Sequence, residues 1–259
     1  MENFLTDLQG SFGILRNTEV LMYLLKGLGF TLGISLITIL CSILLGAVLA
    51  LMRNYCVHGA QRVLKGFSTF YIEVFRNTPL LLWIFICMVF CPTPAFLNRK
   101  MFGLTSSADV KLLFKASVAL ILFTSSVIAE IIRGGLNSVA DGQFEAGRSQ
   151  GFGTVQIMRY IVLPQAFRNV IPTLLSQVIT TIKDSSYLAN IAVIELMART
   201  KQIMSSANRY NGTGTINVSD VFVLFGLAAL IYFIINYTLS CVVRAMQKRM
   251  KRTHARPIS

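Results

Sequence analysis

The sequence predicts an all-α fold: a polytopic membrane protein of about five transmembrane helices with a cytoplasmic helix-elbow-helix loop. Three observations carry that prediction. The 259 residues are 54% hydrophobic and only 14% charged, against about 25% charged in ordinary soluble domains. Long uncharged stretches recur along the chain, the first of them 26 residues between Lys26 and Arg53. One polar connection, about 134–165, far exceeds the handful of residues that a plain connector needs and has its own helix punctuation.

The spans follow from the charge-free stretches. Residues 27–52 exceed the roughly 20 needed to cross a bilayer, and a first span is expected at about 24–52. A second, 77–98, holds 22 uncharged residues opened by Pro79 and closed by Pro92 and Pro94. The fifth, 220–244, rests on 23 uncharged residues between Asp220 and Arg244. The third and fourth, 111–133 and 166–187, are built on two runs of 14 uncharged residues. They reach membrane length only by taking charged residues into the helix. Charge inside a membrane is costly and tends to face a bundle interior or a water-filled cavity. These two spans are therefore the expected transport path, with tilted helices and snorkelling ends as the competing explanation.

The net charge of +13 matches the lysine and arginine excess of cytoplasmic loops, and no folded basic domain is present to bind nucleic acid. With the N-terminus outside and the C-terminus cytoplasmic, 14 of the 24 basic residues lie inside, many of them in the tail from Arg244 to Arg256. The start of the chain lacks the pattern of a removable signal peptide, so the first span is expected to direct insertion. Cys41, Cys56, Cys87, Cys91 and Cys241 form no C-x-x-C pair, and His58 and His254 lie far from all of them. No metal or redox site is expected. Asn211-Gly212-Thr213 and Asn217-Val218-Ser219 match glycosylation sequons without further support. Gly29-x-x-x-Gly33 is a weak sign of close helix approach.

The inner loop, 138–164, reads as two short helices. Ser138 or Asp141 can cap the first, and Gly151 and Gly153 end it. Thr154 can cap a second piece over 155–163, which Pro164 closes. Glu145-Ala146-Gly147, then Gly151, then Ile161-x-Leu163-Pro164 resembles the EAA loop of ABC importer permeases, with Gly147 where a second alanine is usual. Tyr71 to Leu81, Glu130 to Gly135 and Lys183 to Ser186 resemble the polar amino-acid branch of those permeases. The similarity runs from about Lys26 to Arg244.

That resemblance implies an inner-membrane permease that moves a polar amino acid, glutamate or aspartate first and glutamine next. The loop would couple to a separate ATPase through Glu145, Ala146, Gly147, Gly151, Leu163 and Pro164, with Glu145 as a charged anchor. It further implies two ATPase subunits, a second permease copy or paralogue, and an external amino-acid-binding protein landing on 92–111 and 186–219. The chain has no G-x-x-x-x-G-K-[ST] phosphate loop, so no cofactor is expected in it, and ATP and Mg belong to the partner.

Other charged and hydroxyl residues read less sharply. Glu73 with Arg76, and Glu130 with Arg133, are i, i+3 pairs at helix ends. Asp184, Ser185 and Thr180, with Thr124, Ser125 and Ser126 on span three, are the substrate-path residues expected to meet an ammonium and a carboxylate. A helix-bonding network is the alternative for them. An ion-gradient-driven secondary transporter is the alternative for the whole chain, but such folds often show paired repeats, and none is visible. A membrane enzyme lacks H-E-x-x-H and G-x-S-x-G.

Overall fold

The computed structural model describes residues 2–56, 59, 61–98, 106–211 and 214–254, with side chains from 8 to 248 within those stretches. His58, residues 99–105 of the outer segment, the sequon residues Gly212 and Thr213, and the tail residue Arg256 lie outside the described residues. Every element is helical among the described residues: α1 (Glu2–Arg16), α2 (Thr18–Tyr55), α3 (Gln61–Arg76), α4 (Leu80–Phe90), α5 (Ser107–Asn137), α6 (Asp141–Ser149), α7 (Thr154–Ile157), α8 (Leu163–Asp184), α9 (Leu196–Met204) and α10 (Val218–His254). Helices α2, α5 and α10 are each long and apolar enough to span a bilayer.

The second expected span takes a different form. Helix α4 covers only 11 residues of the stretch 77–98, about 16 Å at helical rise. It forms a pair with the amphipathic α3, bent by 110° at Asn77-Thr78-Pro79. Proline disfavours helical backbone at the residue before it, which fixes the break at Thr78. The freed groups are satisfied locally: Thr78 Oγ1 donates to the Val74 carbonyl at 2.7 Å and accepts from Trp83 Nε1 at 2.7 Å. The fourth stretch begins earlier than expected, with α8 running straight through Pro164 and Pro172.

The chain divides into two compact units, and every boundary falls within a helix. The first holds residues 1–37, 84–119 and 182–238, and the second 38–83, 120–181 and 239–259. The chain therefore passes between the units five times, at 37/38, 83/84, 119/120, 181/182 and 238/239.

In the first unit, Ile14, Val20, Leu24, Leu196, Ile203 and Leu224 form one apolar cluster. It ties α1, α2, α9 and α10 together. Asp220, wholly buried, accepts from Ser11 Oγ at 2.6 Å, Asn211 Nδ2 at 2.8 Å and the Asn217 N–H at 2.9 Å. The segment 186–219, a polar connection by sequence, is thus partly built into the core by α9.

In the second unit, α2, α3 and α5 pack through Leu49, Ala50, Ile72 and Ala129. Two glycines permit close helix approach. A Cβ on Gly46 would lie 2.9 Å from the Ser125 carbonyl oxygen of α5, and one on Gly135 only 1.9 Å from Val170 Cγ2 of α8. Gly29 and Gly33 are different, because a Cβ on either meets no atom within 4 Å.

Candidate functional site

The loop segment 138–164 lies in the second unit, built on the ends of α5 and α8. Leu136, Val139, Ile157, Val162 and Ala166 make its buried base, with Phe144 and Ile161 packed against it. Ala140 is the N-cap of α6 and makes no side-chain cap. Neither expected capping residue serves: the Ser138 hydroxyl donates to the Gly135 carbonyl, and Asp141 lies in the first turn, where a negative charge still favours the helix dipole.

The C-terminus of α6 is a complete Schellman motif. The Phe152 N–H reaches the Gly147 carbonyl at 3.0 Å and the Gly151 N–H reaches the Arg148 carbonyl at 2.9 Å. Gly151 supplies the positive φ of +79° that the turn requires. Gly153, not Thr154, is the N-cap of α7, and Gln156 Oε1 accepts its N–H at 2.9 Å. Pro164 does not close this piece. A π-helical turn over Met158–Val162 leads directly into α8, and the helix runs on through Pro164, the π turn shifting the hydrogen-bond pattern just before the proline.

This geometry presents one face of α6. Glu145 and Ala146 are exposed, and Gly147 is buried. A Cβ on Gly147 would stand 2.8 Å from Ile157 Cγ1, so the departure from the EAA pattern coincides with a tight seat on Ile157. Glu145 has no side-chain hydrogen bond or ion pair to the described residues. Phe152, Val155 and Tyr160 are also exposed. An unpaired carboxylate beside exposed apolar groups suits contact with another protein.

A second cluster links three helices of the same unit. Glu130 Oε1 accepts from Arg53 Nη1 at 2.5 Å, and Glu130 Oε2 pairs with Arg133 at 2.9 Å and Arg76 at 3.5 Å. Arg53 also reaches Glu73 at 3.0 Å. Arg76 therefore pairs with Glu130 instead of Glu73, whose partners are Arg53 and Asn77 Nδ2. The Glu130–Arg133 contact is the i, i+3 pair that the spacing gives. Arg53 was hidden by its separation of 77 residues from Glu130; its only sequence sign is a lone cation ending a long apolar run.

The expected substrate-path residues divide between the units. Thr124, Ser125 and Thr180 belong to the second, and Asp184 and Ser185 to the first. Ser125 Oγ lies 3.0 Å from the Tyr71 hydroxyl, which itself donates to the Leu122 carbonyl at 2.8 Å. Thr124 Oγ1 is buried without a partner. Thr180 and Ser185 donate to carbonyls of their own turns, Ser176 and Ile182. Asp184 is half-buried at the end of α8. Glu195, unremarked in the sequence, is wholly buried in the first unit. Its Oε1 accepts the Ala198 N–H at 2.6 Å, capping α9. Its Oε2 accepts from Tyr232 at 3.1 Å and Thr31 at 3.4 Å.

Long apolar helices carrying an exposed short helix on a glycine elbow define a class, the helical membrane permeases. The chain belongs to the family of binding-protein-dependent transport system inner membrane components, whose profile matches residues 42–252. It is 34% identical over 231 residues to the probable glutamine ABC transporter permease protein GlnP of Bacillus subtilis (strain 168), covering 89% of this chain and 95% of that protein. Over 236 residues it is 33% identical to the glutamate/aspartate import permease protein GltK of Escherichia coli O157:H7, covering 88% and 94%. In structure it resembles a chain from the crystal structure of an amino acid ABC transporter with histidines. The TM-score is 0.72 at 28% identity, with 91% of this chain and 98% of that one covered. The inward-facing MetNI methionine ABC transporter shares the fold, at a TM-score of 0.66 and 18% identity over 89% and 99% of the chains.

Proposed function

We propose that this chain is the permease subunit of an ATP-driven importer for polar amino acids, with glutamate or aspartate as the leading substrates and glutamine next. The observation that carries the reading is α6, whose Glu145–Ala146 face is exposed while Gly147 is seated on Ile157. A helix seated on Ile157 through Gly147, with the Glu145 carboxylate making no side-chain bond among the described residues, can transmit the closure of a soluble ATPase to α5 and α8. The relatives named for glutamine and for glutamate/aspartate support the substrate class. Nucleotide and Mg bind the ATPase, two copies per complex, and this chain carries out no chemistry of its own. A second permease, identical or paralogous, completes the path, and an external binding protein delivers the amino acid. The protein spans the bacterial inner membrane five times, N-terminus outside and C-terminus cytoplasmic; α2, α5 and α10 are long and apolar enough to cross by themselves.

Within the first unit we assign Asp184 to the substrate ammonium, with Ser185 next to it in the chain; Thr180, Thr124 and Ser125 of the second unit are assigned separately as polar residues of the path. Asp184→Asn is expected to weaken substrate affinity in the assembled complex while leaving assembly intact, and unchanged affinity removes Asp184 from the path.

The coupling test is Glu145→Lys in the complex of permease, ATPase and binding protein reconstituted in liposomes. Uptake and binding-protein-stimulated ATP hydrolysis are expected to fall together by about tenfold or more, equivalent to about 1.4 kcal/mol of lost coupling. Normal values for both would overturn the docking role. Competition of uptake by glutamate, aspartate and glutamine then ranks the substrates.

A further inference from the structure

A groove of about 510 Å³ in the first unit opens between α2 and α5, with Arg199 of α9 in its wall. Its lining is divided by chemistry. Lys26 and Arg199 supply two positive charges, Ser117 adds a hydroxyl, and Phe30, Ile34 and Leu113 are apolar. No acidic side chain lines it.

Arg199 is the unusual member, because only 7% of it is exposed and it makes no ion pair among the described residues. One nitrogen donates to the Tyr23 carbonyl at 2.7 Å, and the guanidinium lies over the Tyr23 ring at 4.3 Å. Its Nε is buried without a hydrogen-bond partner. A buried cation with an unused donor is costly unless an anion completes it.

The rest of the groove says which anion. From Lys26 to Ile37 it follows α2 for about 16 Å at helical rise, past Gly29 and Gly33, above which a Cβ would find open space. Helices α2 and α5 are both long and apolar enough to lie in the bilayer. A zwitterionic amino acid would find no carboxylate here for its ammonium, and the apolar floor would be wasted on it. An anionic head with a hydrocarbon tail matches both ends of the groove, and basic pockets between membrane helices recognise lipid headgroups in this way.

We propose that this groove is a binding site for an anionic phospholipid. The phosphate sits against Lys26 and Arg199, and one acyl chain lies along the bare backbone of Gly29 and Gly33 toward Ile37. The glycine pair thereby leaves room for lipid and does not serve close helix contact.

The test uses the full-length protein, purified in mild detergent and returned to nanodiscs of phosphatidylcholine with or without phosphatidylglycerol. Native mass spectrometry then counts the lipid that survives delipidation. Wild type is expected to retain phosphatidylglycerol over phosphatidylcholine. Lys26→Gln should lower that preference about fivefold, in line with about 1 kcal/mol for each basic residue near an anionic headgroup. Gly33→Leu starts its side chain where a Cβ meets no atom within 4 Å, and it should abolish retention of either lipid while the protein remains folded by thermal melt. Arg199 is left unaltered because it also holds Tyr23. Equal retention of the two lipids, or an unaffected Gly33→Leu protein, overturns the proposal. Stabilisation by inorganic phosphate equal to that by phosphatidylglycerol overturns the lipid assignment in favour of a free anion. Efficient disulfide cross-linking of Gly33→Cys between two copies overturns it in favour of a helix contact.

Discussion

Glu130 is the residue on which the ionic cluster depends. Its carboxylate meets Arg53, Arg76 and Arg133, and only 15% of its side chain is exposed. Glu73 is half exposed and meets one of them. Removing the acid from a largely buried cluster leaves unpaired charge, whereas removing an exposed partner costs little. Glu130→Gln should therefore destabilise the protein by about 1–3 kcal/mol, discounted because two of its partners are partly exposed. Glu73→Gln should cost no more than about 1 kcal/mol. Thermal melting of the detergent-solubilised protein separates the two, and equal losses would refute the ranking. A smaller residue-scale test concerns Gly151. Its φ of +79° makes Gly151→Ala cost about 1–2 kcal/mol, although the added Cβ would meet no atom within 4 Å. The same melt measures it.

At the scale of elements, Gly135 sets how closely α5 and α8 approach. An added Cβ would overlap Val170 Cγ2 at 1.9 Å, so Gly135→Ala should destabilise by about 1–3 kcal/mol through overpacking. Adding Val170→Ala removes the obstructing methyls and should recover a large part of that loss. A double-mutant cycle of melts measures the coupling. Simple additivity would mean that the helices do not touch there. What was legible in the sequence sorts by range. The elbow at Gly151 and the uncharged cores of α2, α5 and α10 depend on neighbouring residues, and they could be read. Pro164 misled because proline commonly ends a helix, whereas the π turn before it let α7 run on into α8. The 110° bend at Thr78-Pro79 left its mark only as Pro79, since an uncharged stretch carries no record of direction. Arg53 with Glu130, and Tyr232 with Glu195, are contacts made by folding across 77 and 37 residues. No local pattern encodes them.

For the whole molecule, the proposed five crossings have the clearest testable consequence. If five helices cross the bilayer, the residues before and after any one of them face opposite sides. Ser149 on α6 and Asn208 beyond α9 are both exposed, and α8 lies between them in the chain. With the five native cysteines replaced by serine, Asn208→Cys should react with a membrane-impermeant maleimide on intact spheroplasts. Ser149→Cys should react only after permeabilisation. Uptake measured alongside keeps the comparison to folded, inserted protein. The reverse pattern would invert the orientation, and labelling of both from outside would remove α8 from the list of spans. That second outcome matters physically, because α8 is not among the helices apolar enough to cross by composition alone. Its hydroxyls at Ser176, Thr180 and Thr181 donate to carbonyls a turn earlier, so they enter an apolar setting already satisfied. A helix of this composition is stable in a membrane when it faces other helices or a polar path, and opposite labelling of Ser149→Cys and Asn208→Cys is the result expected if α8 crosses in that way.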